Sequence, residues 1–185
     1  MDVVLVDELD QPLGVMEKME AHEKAVLHRA FSIFIFNSRG EMLLQQRALN
    51  KYHSGGLWTN ACCSHPLPGE AVEEAAARRL GEELGFQTAL KKAFDFIYKA
   101  AFDNGLTEHE FDHVFVGQFE GDMQLNPDEV AQVAYVSMSE IKQRMEAEPE
   151  TFTVWFRIAF PLVEQWLSAA TYFNQVADGQ KPVIL

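Results

Sequence analysis

AVEEAAARRLGEELG, residues 71 to 85, is dense in Ala, Leu, Glu and Arg and ends in a glycine suited to stopping a helix, so it predicts a helix. A helix turns about 100° per residue, so with Val72 at zero Ala76 falls near about 40°, Leu80 near about 80°, Arg79 near about −20° and Glu83 near about 20°. Two charged residues therefore sit on the apolar stripe. Glu73, Glu74 and Arg78 fall elsewhere and predict a solvated face with spaced ion pairs. A buried carboxylate requires a partner: either Arg79 and Glu83 satisfy each other at i, i+4 spacing, or Glu83 faces a metal or phosphate cavity with Arg79 beside an anion.

Just upstream, NACCSHPLPGE (60 to 70) has neither helical nor strand period, and loops that gather thiols, an imidazole and turn residues exist mainly to hold chemistry. Cys62 and Cys63 are adjacent, a spacing that strains a mutual disulfide, so both predict free thiols. Working outward, RAFSIFIF, the turn NSRG and EMLLQQRA predict a hairpin over 29 to 48. VVLV (3 to 6) predicts a short strand followed by the turn-rich DELDQPLG. FDFIYKAAF, EHEFDHVFVGQF and EVAQVAYV predict three further strands, SEIKQRMEAEP a helix closed by proline, and TVWFRIAFPLVEQWLSAA a helix interrupted or kinked near Pro161. In TEHEFDHVFV, strand alternation sends Glu108, Glu110 and Asp112 to one face and His109, Phe111 and His113 to the other. Three acids on one face repel unless a cation sits among them. The pattern is that of one α/β (α+β) domain spanning 1 to 185.

Composition narrows the function. A chain of 185 residues, 48% hydrophobic and 23% charged, suits one globular domain with a sizeable core. No apolar run approaches the roughly 18 residues needed to cross a bilayer, so membrane insertion is not expected. The stretch MDVVLVDELD carries acids where a secretion signal carries bases, which points to the cytoplasm. A net charge of −13 argues against nucleic-acid binding. A small anionic substrate remains compatible if Lys18, Arg47, Lys51, Arg78 and Arg79 concentrate positive charge locally.

RRLGEELGF from Arg78 resembles the end of the Nudix box, with Glu70 at the position of its early glutamate. Ser64 stands where that box has its first glycine, and Arg79 where it has a metal-binding glutamate. Only Glu82 and Glu83 remain of the carboxylate cluster used for hydrolysis, so a Nudix pyrophosphohydrolase acting on a nucleoside or prenyl diphosphate is the alternative reading. Taken with LHRAFSIFIFN, QQRALNK, LWTNACCSHP and TEHEF, the altered box resembles type 1 isopentenyl-diphosphate delta-isomerase, a branch of the Nudix superfamily, from about residue 2 to about residue 166. The resemblance implies a Nudix-like mixed sheet sandwiched between helices, with a core over about 28 to 166 and terminal extensions.

It also implies roles. Cys63 matches the family's thiol acid/base and Glu110 its carboxylate partner, Tyr98 the tyrosine beside that carboxylate, and Trp155 the indole that stabilises a carbocation. The allylic shift moves protons and no hydride, so no redox cofactor is implied. Lys18, Arg47, Lys51, Ser64 and Arg79 correspond to diphosphate contacts. Glu83 and the backbone carbonyl of Cys63 correspond to ligands of a magnesium ion bridging phosphate oxygens. His22, His28, His65, Glu108 and Glu110 correspond to a second divalent site, which ligand type leaves open among manganese, zinc and magnesium. Cys62 matches no catalytic position and predicts packing, and His53, His109 and His113 match no ligand. The implied partner is a prenyl diphosphate, and the expected state a monomer.

Overall fold

The computed structural model describes residues 1–177 apart from 52 and 103, with side chains through 170, so the expected extent to residue 185 runs past the described residues. Within them, nine strands form one mixed sheet flanked by helices on both faces. The central strand is β3 (His28–Phe36); β8 (Thr107–Gln118) runs parallel to it along its whole length, and β7 (Leu90–Ala101) pairs antiparallel with the outer edge of β8. On the other side, β4 (Met42–Arg47) meets β3 only at Phe36↔Met42 and then turns away to pair with β9 (Val130–Val136).

The expected hairpin is therefore a fork. Its inner edges are capped by two short strands: β5 (Trp58–Thr59) on β4, and β6 (Cys62–Ser64) on β3. Asn60, between them and fully buried, pegs the fork. Its side-chain amide donates to the carbonyls of Ile33 (3.0 Å) and Cys62 (2.9 Å), and its oxygen accepts from the Thr59 hydroxyl at 2.9 Å. These bonds satisfy backbone groups that the splayed hairpin would leave open.

Strand alternation assigns the two cores. Phe31, Ile33 and Ile35 of β3 pack with Ala75, Ala76, Leu80 and Leu84 of α2 (Val72–Leu84), and Phe34 and Phe36 pack on the opposite face with Trp155, Phe156, Phe160 and Val163 of α4 (Val154–Ala177). The α2 stop is as expected: Gly85 adopts φ 74°, and a Cβ there would meet Gln124 at 2.6 Å. α4 continues past Pro161 as one helix, where the sequence predicted an interruption or a kink. Burial of Trp155, Phe156, Phe160 and Val163 on both sides of the proline offsets its roughly 3 kcal/mol helix cost. α3 (Met138–Ala147) is capped by Ser137.

Two elements lie where the sequence showed turn residues or nothing definite. β2 (Pro12–Glu17) pairs with β1 (Asp2–Val6) through a sharp turn, although its exposed side chains carry no strand period. α1 (Lys18–Glu23) is too short for a helical period to register, and Glu17 caps it.

Candidate active site

The fork opens a cleft of about 300 Å³ that joins the two layers. From the α2 side come Arg79 and Glu83. From the α4 side come Cys63, Tyr98, Glu108, Glu110 and Trp155, with Lys18, Arg47, Lys51, Ser64 and His65 also in the lining. His22 and His28 lie fully buried beside Glu110, and their donor atoms, with those of His65 and Glu110, fall within 4.8 Å of one another. Every catalytic, diphosphate and metal position that the resemblance implies thus belongs to one connected region.

Adjacent positions on β6 explain the two thiols. Cys62 points into the α2 core, while Cys63 points to the opposite face and into the cleft. The Cys63 thiol donates to Asn60 Oδ1 at 3.0 Å and lies 3.4 Å from the Ser32 hydroxyl, which donates to Asp112 Oδ2 at 2.7 Å. Burial, reinforced by the Asp112 carboxyl, holds this thiol protonated well above its usual range. Asp112 is itself lifted to about 8 by burial and by the nearby charge of Glu110. Alternation on β8 holds as read, with Glu108 and Glu110 on the cleft side and Asp112 reaching the same layer through Ser32.

Tyr98 stands opposite Glu110 in the β7–β8 register, and its hydroxyl lies 2.7 Å from Glu110 Oε2 and 2.9 Å from Glu108 Oε2. Burial works to raise Glu110, but the His65 ring at 2.9 Å and the His28 ring at 3.6 Å from Glu110 Oε1 outweigh it and hold this carboxyl well below the usual range. Burial and the charge on Glu110 push Glu108 well above it. Burial also keeps His22 neutral and lowers His65 to about 3, the uncharged form in which imidazole binds metals.

The donor set fits a divalent cation. His22 Nδ1 donates to the Lys18 carbonyl at 2.6 Å and His28 Nδ1 to the Val26 carbonyl at 2.8 Å, which turns both Nε2 lone pairs inward. His22 Nε2 is buried with no hydrogen-bond partner among the described residues, a cost that coordination removes.

At the α2 end, Arg79 and Glu83 satisfy each other as the i, i+4 reading of the charged stripe expects. Arg79 bonds Glu83 at 2.6 Å, yet both line the cleft, and Gln45 donates to the same carboxylate at 3.3 Å. Glu129, which the sequence did not single out, bridges Arg79 (3.2 Å) and Lys51. Arg78 instead binds Glu70 and Glu82 outside the cleft, as expected for a solvated face. Trp155 is buried, and the Arg47 guanidinium lies 5.1 Å from its ring centroid.

His53, which matches no ligand of the family, is buried and lines the cleft, with Nε2 3.5 Å from Glu108 Oε1, and burial together with the charge of Arg47 lowers it to about 3. No local period marks residues 53 to 56, so only the fold could bring it there. His109 and His113 stay outside the cleft, bonded to the Ala25 carbonyl and near Asp10.

A NUDIX domain model matches residues 26–156. A relative from Pectobacterium atrosepticum named isopentenyl-diphosphate Delta-isomerase is 55% identical over 91% of this chain and 94% of its own length. One of the same name from Burkholderia multivorans is 50% identical over 89% and 96%. Among solved structures, a Deinococcus radiodurans protein aligns with TM-score 0.67 at 19% identity, over 80% of this chain and 90% of that one. A MutT protein from Methanosarcina mazei aligns with TM-score 0.62 at 23% identity, over 75% and 94%; both likenesses concern the fold alone. With its altered helix-α2 box and these relatives, the chain belongs to the Nudix family, in the branch of the isopentenyl-diphosphate Delta-isomerases.

Proposed function

We propose that this chain interconverts isopentenyl diphosphate and dimethylallyl diphosphate, acting as a monomeric cytoplasmic enzyme of a single domain whose core spans about 28 to 166. The observation that carries the reading is the meeting of Cys63, the Tyr98–Glu110 pair and Trp155 in one cleft with cationic groups at its α2 end.

The reaction adds a proton to the terminal alkene carbon, leaving a tertiary carbocation, and removes one from the carbon two bonds away. One of Cys63 and Glu110 delivers the first proton and the other accepts the second. Tyr98 orients Glu110 and holds a proton beside it. The indole of Trp155 faces the developing charge, an attraction worth roughly 2 kcal/mol when desolvated. Lys18, Arg47, Lys51, Ser64 and Arg79 bind the diphosphate, and the buried walls exclude water that would trap the cation. A manganese, zinc or magnesium ion held by His22, His28, His65, Glu108 and Glu110 would tune the acidity of Glu110, and a magnesium ion on Glu83 and the Cys63 carbonyl would neutralise the diphosphate. Diphosphate cleavage is disfavoured because Arg79 occupies the position of a ligand carboxylate and pairs with Glu83.

Proton NMR of isopentenyl diphosphate with the enzyme and magnesium in deuterated water tests this. The dimethylallyl isomer should appear with deuterium incorporated, and Cys63→Ser should abolish it. Release of phosphate without isomer would overturn the assignment.

A further inference from the structure

Two overlapping sets of metal-type donors meet in the cleft. The donor atoms of His22, His28, His65 and Glu110 lie within 4.8 Å of one another, and so do those of His22, His53 and Glu108. We propose that His53 is a further ligand of the divalent ion at the histidine–glutamate site, making it a centre of four imidazoles and two carboxylates. The inference rests on the functional reading above, in which this cluster is a metal centre.

The geometry favours one ion over two. Bonds of about 2.1 Å place the donors of a six-coordinate ion roughly 3 to 4 Å apart, so each set is within a small relaxation of closing on a cation. The sets share His22, whose Nδ1 is committed to the Lys18 carbonyl, so it has a single nitrogen to give. Two ions would compete for that nitrogen, whereas a single ion on His22 takes both sets once His53 and Glu108 close in from the separate group they form without it.

His53 is also held as a ligand is held. Its ring stacks on Phe102 at 4.8 Å and 17° and meets Trp155 edge-on at 5.8 Å, which restricts its rotation. Nδ1 lies 3.2 Å from the Ser54 hydroxyl, on a residue kept at φ 53°, and a proton donated there turns the Nε2 lone pair toward Glu108. Carbonyls do the same for His22 and His28. The 3.5 Å from Nε2 to Glu108 Oε1 is long for an N–H···O bond and suits two neighbouring donors of one cation. Four imidazoles bias the site toward transition ions over magnesium.

The test loads wild type, His53→Ala and His28→Ala with Mn(II), measures affinity by chelator competition, and counts coordinated imidazole nitrogens by pulsed EPR. His53→Phe, which keeps the ring stack and deletes the donor, is measured alongside in case His53→Ala does not fold. Both His53 variants should bind Mn(II) more weakly by at least about tenfold and lose one coordinated nitrogen, with His28→Ala losing at least as much. If the His53 variants match wild type while His28→Ala loses affinity, His53 is a packing residue and the functional reading stands. If His28→Ala also matches wild type, the cluster is no metal centre and both ideas fall.

Discussion

Cys62 and Cys63 have the same side chain and differ in the face of the sheet they address. Cys62 is fully buried against α2, so Cys62→Ala should lower unfolding free energy by about 1 kcal/mol, read from urea denaturation, and leave turnover near wild type. Cys63→Ala should do the reverse: a midpoint close to wild type and isomerisation reduced by about 10³-fold or more, read by NMR. Tyr98→Phe removes the hydroxyl lying between Glu108 and Glu110, and kcat should fall by about 10²-fold with the fold retained. Alternation made the acid face of β8 legible in the sequence, because it depends on nearest neighbours along one strand. The places of Asn60, Ser32 and His53 were not legible, since each is set by a partner 27 to 80 residues away or by a loop without period.

At the scale of elements, α2 could be read from its own residues: the stripe, the charged outer face and the terminal glycine are all local signals. The fork could not. RAFSIFIF and EMLLQQRA carry an ordinary hairpin pattern, and nothing within them says that β5 and β6 will occupy their inner edges. The entry to α2 depends on a local tie, in which Glu70 accepts from Arg78 at 2.7 and 2.8 Å and from the Leu67 amide at 2.8 Å. Hydrogen bonds from Arg78 hold the Glu70 carboxyl below its usual range. A carboxyl depressed on folding contributes stability above its unfolded pKa and loses it as pH falls through the depressed value. Glu70→Gln should therefore unfold more easily at pH 7, by about 0.5 kcal/mol because the pair is solvent-screened. In urea titrations the two proteins should converge once pH drops well below the ordinary glutamate value of about 4.3. A gap that persists undiminished at acid pH would mean that Glu70 acts through packing.

For the molecule as a whole, the problem is charge. A chain with net charge −13 repels an anionic substrate, and it also buries Glu108 and Glu110 side by side, sharing one tyrosine hydroxyl and facing imidazoles that burial keeps uncharged. The cleft answers the first difficulty by drawing Lys18, Arg47, Lys51 and Arg79 to one place, with Glu129 and Glu83 balancing part of that charge. The second requires a cation or a trapped proton, since burial makes unpaired acids expensive. Binding of Mn(II) at a concentration of 100 times its dissociation constant should therefore stabilise the protein by about 2.7 kcal/mol, visible as a rise in thermal midpoint that chelation reverses. Substitution Glu108→Gln should move the same measurement in two ways, because it removes both the buried repulsion against Glu110 and one of the donors that draw the ion in. The metal-free midpoint should rise above that of wild type, while the increment gained from Mn(II) should shrink. A Glu108→Gln variant that is less stable than wild type without metal and still gains the full increment with it would mean that Glu108 is satisfied within the protein and that the ion is held without it.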